Sequence, residues 1–483
     1  MEIKHLIGRK AELKQLESII HSSRPEFIAI YGRRRVGKTF LIRQFASAQK
    51  SIKYFDFSGQ QNSPLQNQID NFCVRLEEAF KITRPLQRPK GWKEALLLLN
   101  SFLNEQTKNK KCMLFFDELP WIASRNSAFV SALDYIWNQY WSRNKNIKLI
   151  VCGSAASWII EKVINAKGGL HNRVTGQMNL SPFNLNEVES YLRDKGIKLT
   201  RIEILKIYMA IGGVPFYWTH IQKGKSGAES IDSLFFRKAA PLKDEFQRLL
   251  SSLFENSEVH KKIVEALANN RHGVSREELL AQLKIKSGGQ FNRYLNELTI
   301  SGFIQEFIPY GRKKKNHYFR LIDPFCFFYL KWQTEISGGR TSWKSLQNTP
   351  RLQSWLGYTF ENVCIMHEEK IKQVMELTDS VVTSSSWSFR PSVRSQKEQG
   401  VQFDLLWKRK DGVIQIFEIK YSESPFKLEK NYAKVLSNKI EIFKEKTKFK
   451  GQVFLTLVSP FGLAQGLWND DIVDTVVDLN EIW

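Results

Sequence analysis

The chain has 483 residues, too many for one hydrophobic core, so two to four domains are expected. Its 42% hydrophobic and 25% charged content belongs to a folded, water-facing protein and excludes a disordered or collagen-like chain. No run approaches the roughly 18 apolar residues that cross a bilayer, and Met1-Glu2-Ile3-Lys4-His5 lacks the apolar core of a signal peptide, so a cytoplasmic protein without a membrane partner is expected. The 72 Lys and Arg against 49 Asp and Glu leave a net charge of +23, which favours a polyanionic partner, nucleic acid and DNA first, over the alternative of a general solubility effect. The five cysteines are odd in number, scattered and never in C-x-x-C spacing, and the eight histidines form no H-E-x-x-H pattern, which argues against a zinc site or a disulfide framework.

In chain order, the apolar strand Phe27-Ile28-Ala29-Ile30-Tyr31 runs into Gly32-Arg33-Arg34-Arg35-Val36-Gly37-Lys38-Thr39 and then a helix-like stretch from Phe40 to Phe45. This is G-x4-G-K-[ST] between a strand and a helix, the setting in which the pattern binds a nucleoside triphosphate. Glycines let successive N–H groups turn inward to the phosphates, and the helix start adds partial positive charge. Lys38 is expected to reach the β and γ oxygens and the Thr39 hydroxyl to hold Mg²⁺, so ATP and Mg²⁺ are the expected cofactors. A Gly-rich turn with an incidental lysine is the alternative, and strand, spacing and helix all speak against it.

A second strand is expected at Ile52–Phe57, with helices near Pro64–Phe80 and Trp92–Leu103. Lys111-Cys112-Met113-Leu114-Phe115-Phe116 then reads as a buried strand ending in Asp117 and Glu118. There Asp117 would serve the Mg²⁺ and Glu118 would orient or deprotonate the attacking water. The strand Ile147–Gly153 ends at Ser154, which senses the γ-phosphate, fixes the water, or simply starts a loop. Together these predict a parallel sheet with helices on both faces and the ligand beyond the carboxyl ends of its strands.

With Leu6-Ile7-Gly8-Arg9-Lys10-Ala11-Glu12-Leu13 ahead of the first strand, Cys152-Gly153-Ser154, Leu180-Ser181-Pro182-Phe183 and Gly212-Gly213-Val214-Pro215-Phe216-Tyr217, residues 1–250 resemble AAA+ and STAND-type ATPases, and are similar to the archaeal-type ATPase family. The resemblance implies an ATPase whose N-terminal box cups the adenine. It also implies an arginine near Arg173 that reaches a γ-phosphate, a lid helix marked by Pro215, and homo-oligomerisation as an open option.

Residues 251–325 change character. Val259–Leu267 reads as an amphipathic helix, and Ser275-Arg276-Glu277-Glu278 as a capping box opening a second helix through Leu283. A third helix, Phe291–Leu298, precedes two strand runs, Phe303–Pro309 and His317–Ile322, around Arg312-Lys313-Lys314-Lys315. Three helices and a basic hairpin make a winged helix-turn-helix, in which the third helix enters a major groove and the basic tip meets phosphates. Such modules also serve as lids or protein contacts. Residues 326–352, with Ser337-Gly338-Gly339-Arg340-Thr341-Ser342 and Asn348-Thr349-Pro350, carry the linker signals.

In residues 353–483, Glu361 falls on a predicted helix, Asp404 inside a strand, and Glu418-Ile419-Lys420 on a second strand joined to the first by the turn Asp411-Gly412. Glu418 and Lys420 share one face of their strand. Asp404 and Glu418 could converge on one Mg²⁺, Lys420 would position and activate the attacking water, and Glu361 would complete the first or second shell. The order Glu…Asp…Glu-x-Lys resembles the PD-(D/E)xK restriction-endonuclease-like superfamily, which implies a following helix and strand, matched by Lys427–Phe443 and Gly451–Val458. Thr383–Ser386 reads as a loop leading into a strand.

The fold class expected is thus α/β: a phosphate-loop NTPase parallel sheet of AAA+/STAND type, a winged helix, and a restriction-endonuclease-like α/β domain. Two functions use every feature above. One is an ATPase acting on nucleic acid that also cuts DNA as a metal-dependent endonuclease. The other is an ATP-controlled DNA-binding or signalling switch whose nuclease-like part only binds.

Overall fold

The computed structural model describes residues 6–106, 110–124, 126–165, 172–254, 256–270, 272–313, 316–338, 342–377, 382–391 and 400–483. The chain forms two compact units, the first Met1–Phe183 with Val214–Phe216 and Ser252–Glu255, the second Asn184–Gly213, Tyr217–Ser251 and Asn256–Trp483. This division differs from the expected boundary at residue 250, since most of 184–251 packs with the second unit.

In the first unit, β1 (Glu26–Tyr31), β2 (Lys53–Ser58), β3 (Cys112–Asp117), β4 (Ile147–Gly153) and β5 (Gly176–Asn179) form one parallel sheet in the order β2-β3-β4-β1-β5. Alternate side chains serve two cores, as the two-residue repeat of a strand requires. Phe27, Ala29, Leu114, Phe116, Leu149 and Val151 join one apolar cluster with Phe72 and Trp92. Ile28, Ile30, Met113, Phe115, Ile150 and Cys152 join the other, with Leu16, Leu41 and Phe45. Both faces are thus covered by helices, which explains why β1, β3 and β4 read as unbroken apolar runs. The parallel α/β sheet predicted for the chain is present, and β3, β4 and β1 stand side by side with their carboxyl ends at one edge.

The second unit holds the helix Ser257–Ala268, β6 (Val274–Ser275), the helices Arg276–Leu283 and Gly289–Ile300, β7 (Ile304–Phe307) and β8 (Tyr318–Leu321). Ser275 closes a capping box with Glu278, and the three strands pair antiparallel in the order β6-β8-β7. Lys314 and Lys315 of the basic run lie outside the described residues, as do Gly339, Arg340 and Thr341 of the linker signal.

The expected linker is different in the structure. Pro324–Gly338 is a helix with Phe325, Cys326, Phe327, Phe328, Trp332 and Ile336 buried. A helix apolar on all sides must be enclosed. Phe328 meets Phe235 at 4.6 Å, Trp343 at 5.1 Å and Trp355 at 5.5 Å between ring centroids, so this stretch is core.

After the helices Pro350–Met366 and Glu368–Val374 come β9 (Val382–Phe389), β10 (Val401–Arg409), β11 (Ile414–Ile419), the helix Lys430–Thr447, β12 (Val453–Val458) and β13 (Thr475–Val477). They form a mixed sheet, β13-β12-β11-β10-β9, in which β10 runs antiparallel to both neighbours and β11, β12 and β13 run parallel. Thr383–Ser386, expected as a loop, lies within β9, where main-chain pairing with β10 outweighs the turn preference of hydroxyl residues. Among the described residues no helix is long and apolar enough to cross a membrane.

Candidate nucleotide site and a second charged cluster

The loop after β1 turns sharply. Gly32 has φ 147°, and a Cβ there would overlap the Leu180 carbonyl oxygen, so only glycine fits between β1 and β5. Gly37 (φ 93°) and Arg35 (φ 70°) are also left-handed, and the helix Lys38–Ala48 starts directly behind them. Lys38, 5% exposed, donates from Nζ to the carbonyls of Gly32 and Arg33, both at 2.9 Å, and to Ser154 Oγ at 3.3 Å. Arg33 and Val36 are buried, while Arg34 and Arg35 are half-buried.

Opposite the loop, Asp117 receives four donors. Thr39 Oγ1 (2.7 Å) and Ser58 Oγ (3.3 Å) bind Oδ2, while the Glu118 N–H and the Cys152 thiol, both at 3.0 Å, bind Oδ1. Burial, with the Asp117 charge second, drives the Cys152 thiol well above its ordinary range, so it stays a neutral donor. Glu118 lies at φ 47°, ψ 51°, a region that non-glycine residues enter at a cost and that concentrates at functional sites. Ser154 binds both Glu118 oxygens, its hydroxyl to Oε1 and its N–H to Oε2 at 3.0 Å. Lys38, Thr39, Asp117, Glu118 and Ser154 therefore form one connected group at the carboxyl ends of β1, β3 and β4. Thr39 and Asp117 offer only oxygen, the donor type Mg²⁺ takes, and with Lys38 alongside, the set fits a nucleoside triphosphate with Mg²⁺.

Two contacts here escape a linear reading. Arg9, from the N-terminal box, donates from Nη2 to the Val36 carbonyl at 3.2 Å and lies 4.8 Å from the Phe183 ring centre. The Arg35 guanidinium lies 4.2 Å over the Phe216 ring. Both join segments far apart in sequence, and the hint the sequence offers is that Phe183 and Phe216 fall in two of the short motifs that carry the resemblance. Arg173 is exposed; Leu170 and His171 before it lie outside the described residues.

In the second unit the expected acids fall into two settings. Glu418, 6% exposed, faces the helix Lys430–Thr447 and accepts from the Tyr432 hydroxyl, from Lys420 Nζ at 2.9 Å and from Lys439 Nζ at 3.2 Å. Burial alone would raise its carboxyl, but the two lysines outweigh it and hold it below the usual range, and Glu418 in turn holds Lys420 above its own. Asp404 is bound through Oδ1 by Gln402 Nε2 at 2.5 Å and lies 3.6 Å from His272 Nδ1. Burial again acts upward on its carboxyl, and His272, Gln402 and Arg320 bring it below the ordinary value. Asp404 and Glu418 each stand one residue beyond the paired couple Leu405 and Phe417.

Glu361 lies on the helix Pro350–Met366, half-buried, and its charge acts on Arg320. Among the described residues no three His, Cys, Asp or Glu side chains gather to hold a metal ion, so Glu361 does not join Asp404 and Glu418 in a first shell. The reason lies in their partners. A slip in the β9–β10 register between Phe403 and Leu406 re-aims the strand at Asp404, while Tyr432 and Lys439 draw Glu418 onto the helix. The two remaining carboxylates still offer the oxygen donors Mg²⁺ prefers.

Residues 6–221 match the family described as an ATPase domain predominantly from Archaea. An uncharacterised protein of Methanocaldococcus jannaschii is 25% identical over 455 residues, which is 90% of this chain and 96% of the relative. An uncharacterised ATP-binding protein of the same organism is 46% identical over 44 residues, 9% of this chain and 75% of that protein. Among solved structures, a Walker-type ATPase of Pyrococcus abyssi is similar with a TM-score of 0.45 and 19% identity, covering 68% of this chain and 96% of that one. The sheet and the loop after β1 agree with the family match, and the stretch from residue 6 to residue 221 is similar to ATPase domains found predominantly in Archaea.

Proposed function

We propose that the chain binds ATP with Mg²⁺ at Gly32–Thr39, hydrolyses it, and acts on nucleic acid, with the C-terminal sheet as a Mg²⁺-dependent DNA-cleaving module. The observation that carries the ATPase reading is the connected group Lys38–Ser154–Glu118 beside Thr39–Asp117. Lys38 would move from the loop carbonyls to the β and γ phosphate oxygens. Bound through Thr39 and Asp117, Mg²⁺ would offset charge on the phosphates. Glu118 would take the proton of the attacking water, and Ser154 would set the direction of its carboxylate.

The nucleic-acid reading draws on the net charge of +23 and on the helix Gly289–Ile300, whose outer face carries Gln290, Asn292, Arg293 and Asn296, with Arg312 and Lys313 exposed on the hairpin. Cleavage would use Asp404 and Glu418 to hold the cation and Lys420 to orient the water. The engagement of Glu418 by both Lys420 and Lys439 favours a second reading, in which this sheet binds nucleic acid or a partner without cutting.

Plasmid nicking separates the two readings. Loss of Mg²⁺-dependent nicking in both Asp404→Ala and Lys420→Ala supports cleavage, whereas an intact wild type that never nicks, with or without ATP, supports the binding module. For the nucleotide site, Lys38→Ala should abolish the rise in melting temperature that ATP with Mg²⁺ gives the wild type. An unchanged rise would refute the assignment.

A further inference from the structure

Arg320, on β8, is a full positive charge enclosed within the second unit at 5% exposure. A guanidinium cannot shed its proton, so its burial requires fixed partners. Its Nε donates to Gln305 Oε1 at 2.7 Å, and its carbon lies 4.7 Å over the Phe307 ring. Both of these partners are on β7, and together they set the plane of the guanidinium.

Held in that plane, Nη1 donates to the main-chain carbonyl of Asp404 at 3.3 Å. Here β10 slips register against β9, and such a slip leaves main-chain groups in need of other partners. Burial acts against the Arg320 charge, and the charges of Asp404, Glu368 and Glu361, from a strand and two helices, act in its favour. His272 and Gln402 then hold the Asp404 side chain, one from the turn before β6 and one from β10 itself.

We infer that Arg320 is a positioning residue for Asp404: fixed by Gln305 and Phe307 of the small sheet, it sets the main chain of β10 at the point where the carboxylate must meet a divalent cation. The inference rests on the reading of Asp404 as a cation-holding acid. Buried as it is, Arg320 does not reach DNA, so its loss acts on cation binding and turnover rather than on DNA affinity. It also ties the small sheet β6-β8-β7, beside the candidate DNA-binding helix, to β10 at Asp404.

The test uses the full chain without nucleotide, with Mn²⁺ as the probe cation read by electron paramagnetic resonance, alongside plasmid nicking and DNA affinity. Arg320→Met should weaken Mn²⁺ binding and lower kcat for nicking by about 10- to 100-fold, the scale for losing a partner behind a metal ligand, with KM and DNA affinity near those of the wild type. Arg320→Lys should restore part of both. Wild-type Mn²⁺ affinity in a folded Arg320→Met overturns the inference while leaving the cleavage reading intact. Should Arg320→Met not fold, Arg320→Lys decides, since its point charge cannot serve Gln305 and Asp404 together and unchanged Mn²⁺ binding there overturns the inference equally. A wild type that neither nicks nor binds Mn²⁺ above Asp404→Asn removes the cleavage reading and this inference with it.

Discussion

Ser154 takes both carboxylate oxygens of Glu118, one with its hydroxyl and one with its main-chain N–H, while its Oγ also accepts from Lys38. A residue in strained left-handed backbone is thus aimed by the residue that directly follows the adjacent strand β4. Glu118→Gln should bind ATP as the wild type does yet lose about 10²- to 10⁴-fold in turnover, the range for removing a general base. Ser154→Ala keeps the N–H bond, so its turnover should fall by about tenfold, equivalent to ~1.4 kcal/mol. Nucleotide affinity should hold, because Lys38 and the main-chain amides of Gly32–Thr39 remain in place to meet the phosphates. Steady-state hydrolysis with separate nucleotide titrations checks both, and wild-type turnover by Glu118→Gln would reassign the base.

What could be read in the sequence follows from the range over which each feature is encoded. The loop Gly32–Thr39 and the strands β1, β3 and β4 are contiguous patterns, and the parallel sheet followed from them. β5 leaves no such pattern, because Gly176-Gln177-Met178-Asn179 is short and polar and pairs along β1. The helix Pro324–Gly338 carries linker signals because Gly, Ser and Thr residues follow its aromatic run, whose partners Phe235, Trp343 and Trp355 lie outside the helix. At the second cluster Asp404, Glu418 and Lys420 could be picked out by spacing. The roles of His272, Arg320, Tyr432 and Lys439 depend on a register slip and on packing between distant elements, which spacing does not record.

The aromatic helix gives a direct test of that correction. Phe328 is fully buried among Phe235, Trp343 and Trp355. In a linker Phe328→Ala would be neutral; in a core it should cost about 3–5 kcal/mol through lost burial and the cavity left behind. Urea unfolding should show a lower midpoint for the transition of this unit at an unchanged slope. An unshifted midpoint would return the segment to linker status.

Acid should weaken the second unit through Glu297. Burial acts to raise this carboxyl, but hydrogen bonds from His260 (2.8 Å) and Arg293 (2.9 Å) prevail and place it below its ordinary value. A carboxyl whose folded value is depressed contributes stability that is complete above its unfolded value, about 4.3, and that disappears as pH falls through the folded one. At neutral pH Glu297→Gln should therefore be less stable than the wild type, by about 1.5–3 kcal/mol for bonds to charged groups. That gap should close as the solution is taken below pH ~4. Thermal melts of both proteins between neutral and acid pH read it, and a gap that persists at low pH would show that ionisation is not its origin.

The charge surplus makes the nucleic-acid reading quantitative. If Arg312 and its basic neighbours meet phosphates, binding releases condensed counterions, and log affinity should fall linearly with log salt by about 0.9 per phosphate neutralised on duplex DNA. Arg312 is exposed on the hairpin, so Arg312→Ala should leave the fold alone and reduce that slope by about 1, with affinity lowered alike for unrelated sequences. A side chain reading a base would instead discriminate between sequences, by about 1–3 kcal/mol at one position. Fluorescence anisotropy with two unrelated duplexes across a salt series distinguishes these outcomes. A flat salt dependence in the wild type would leave the surplus of positive charge as a matter of solubility, and the hairpin as a protein contact.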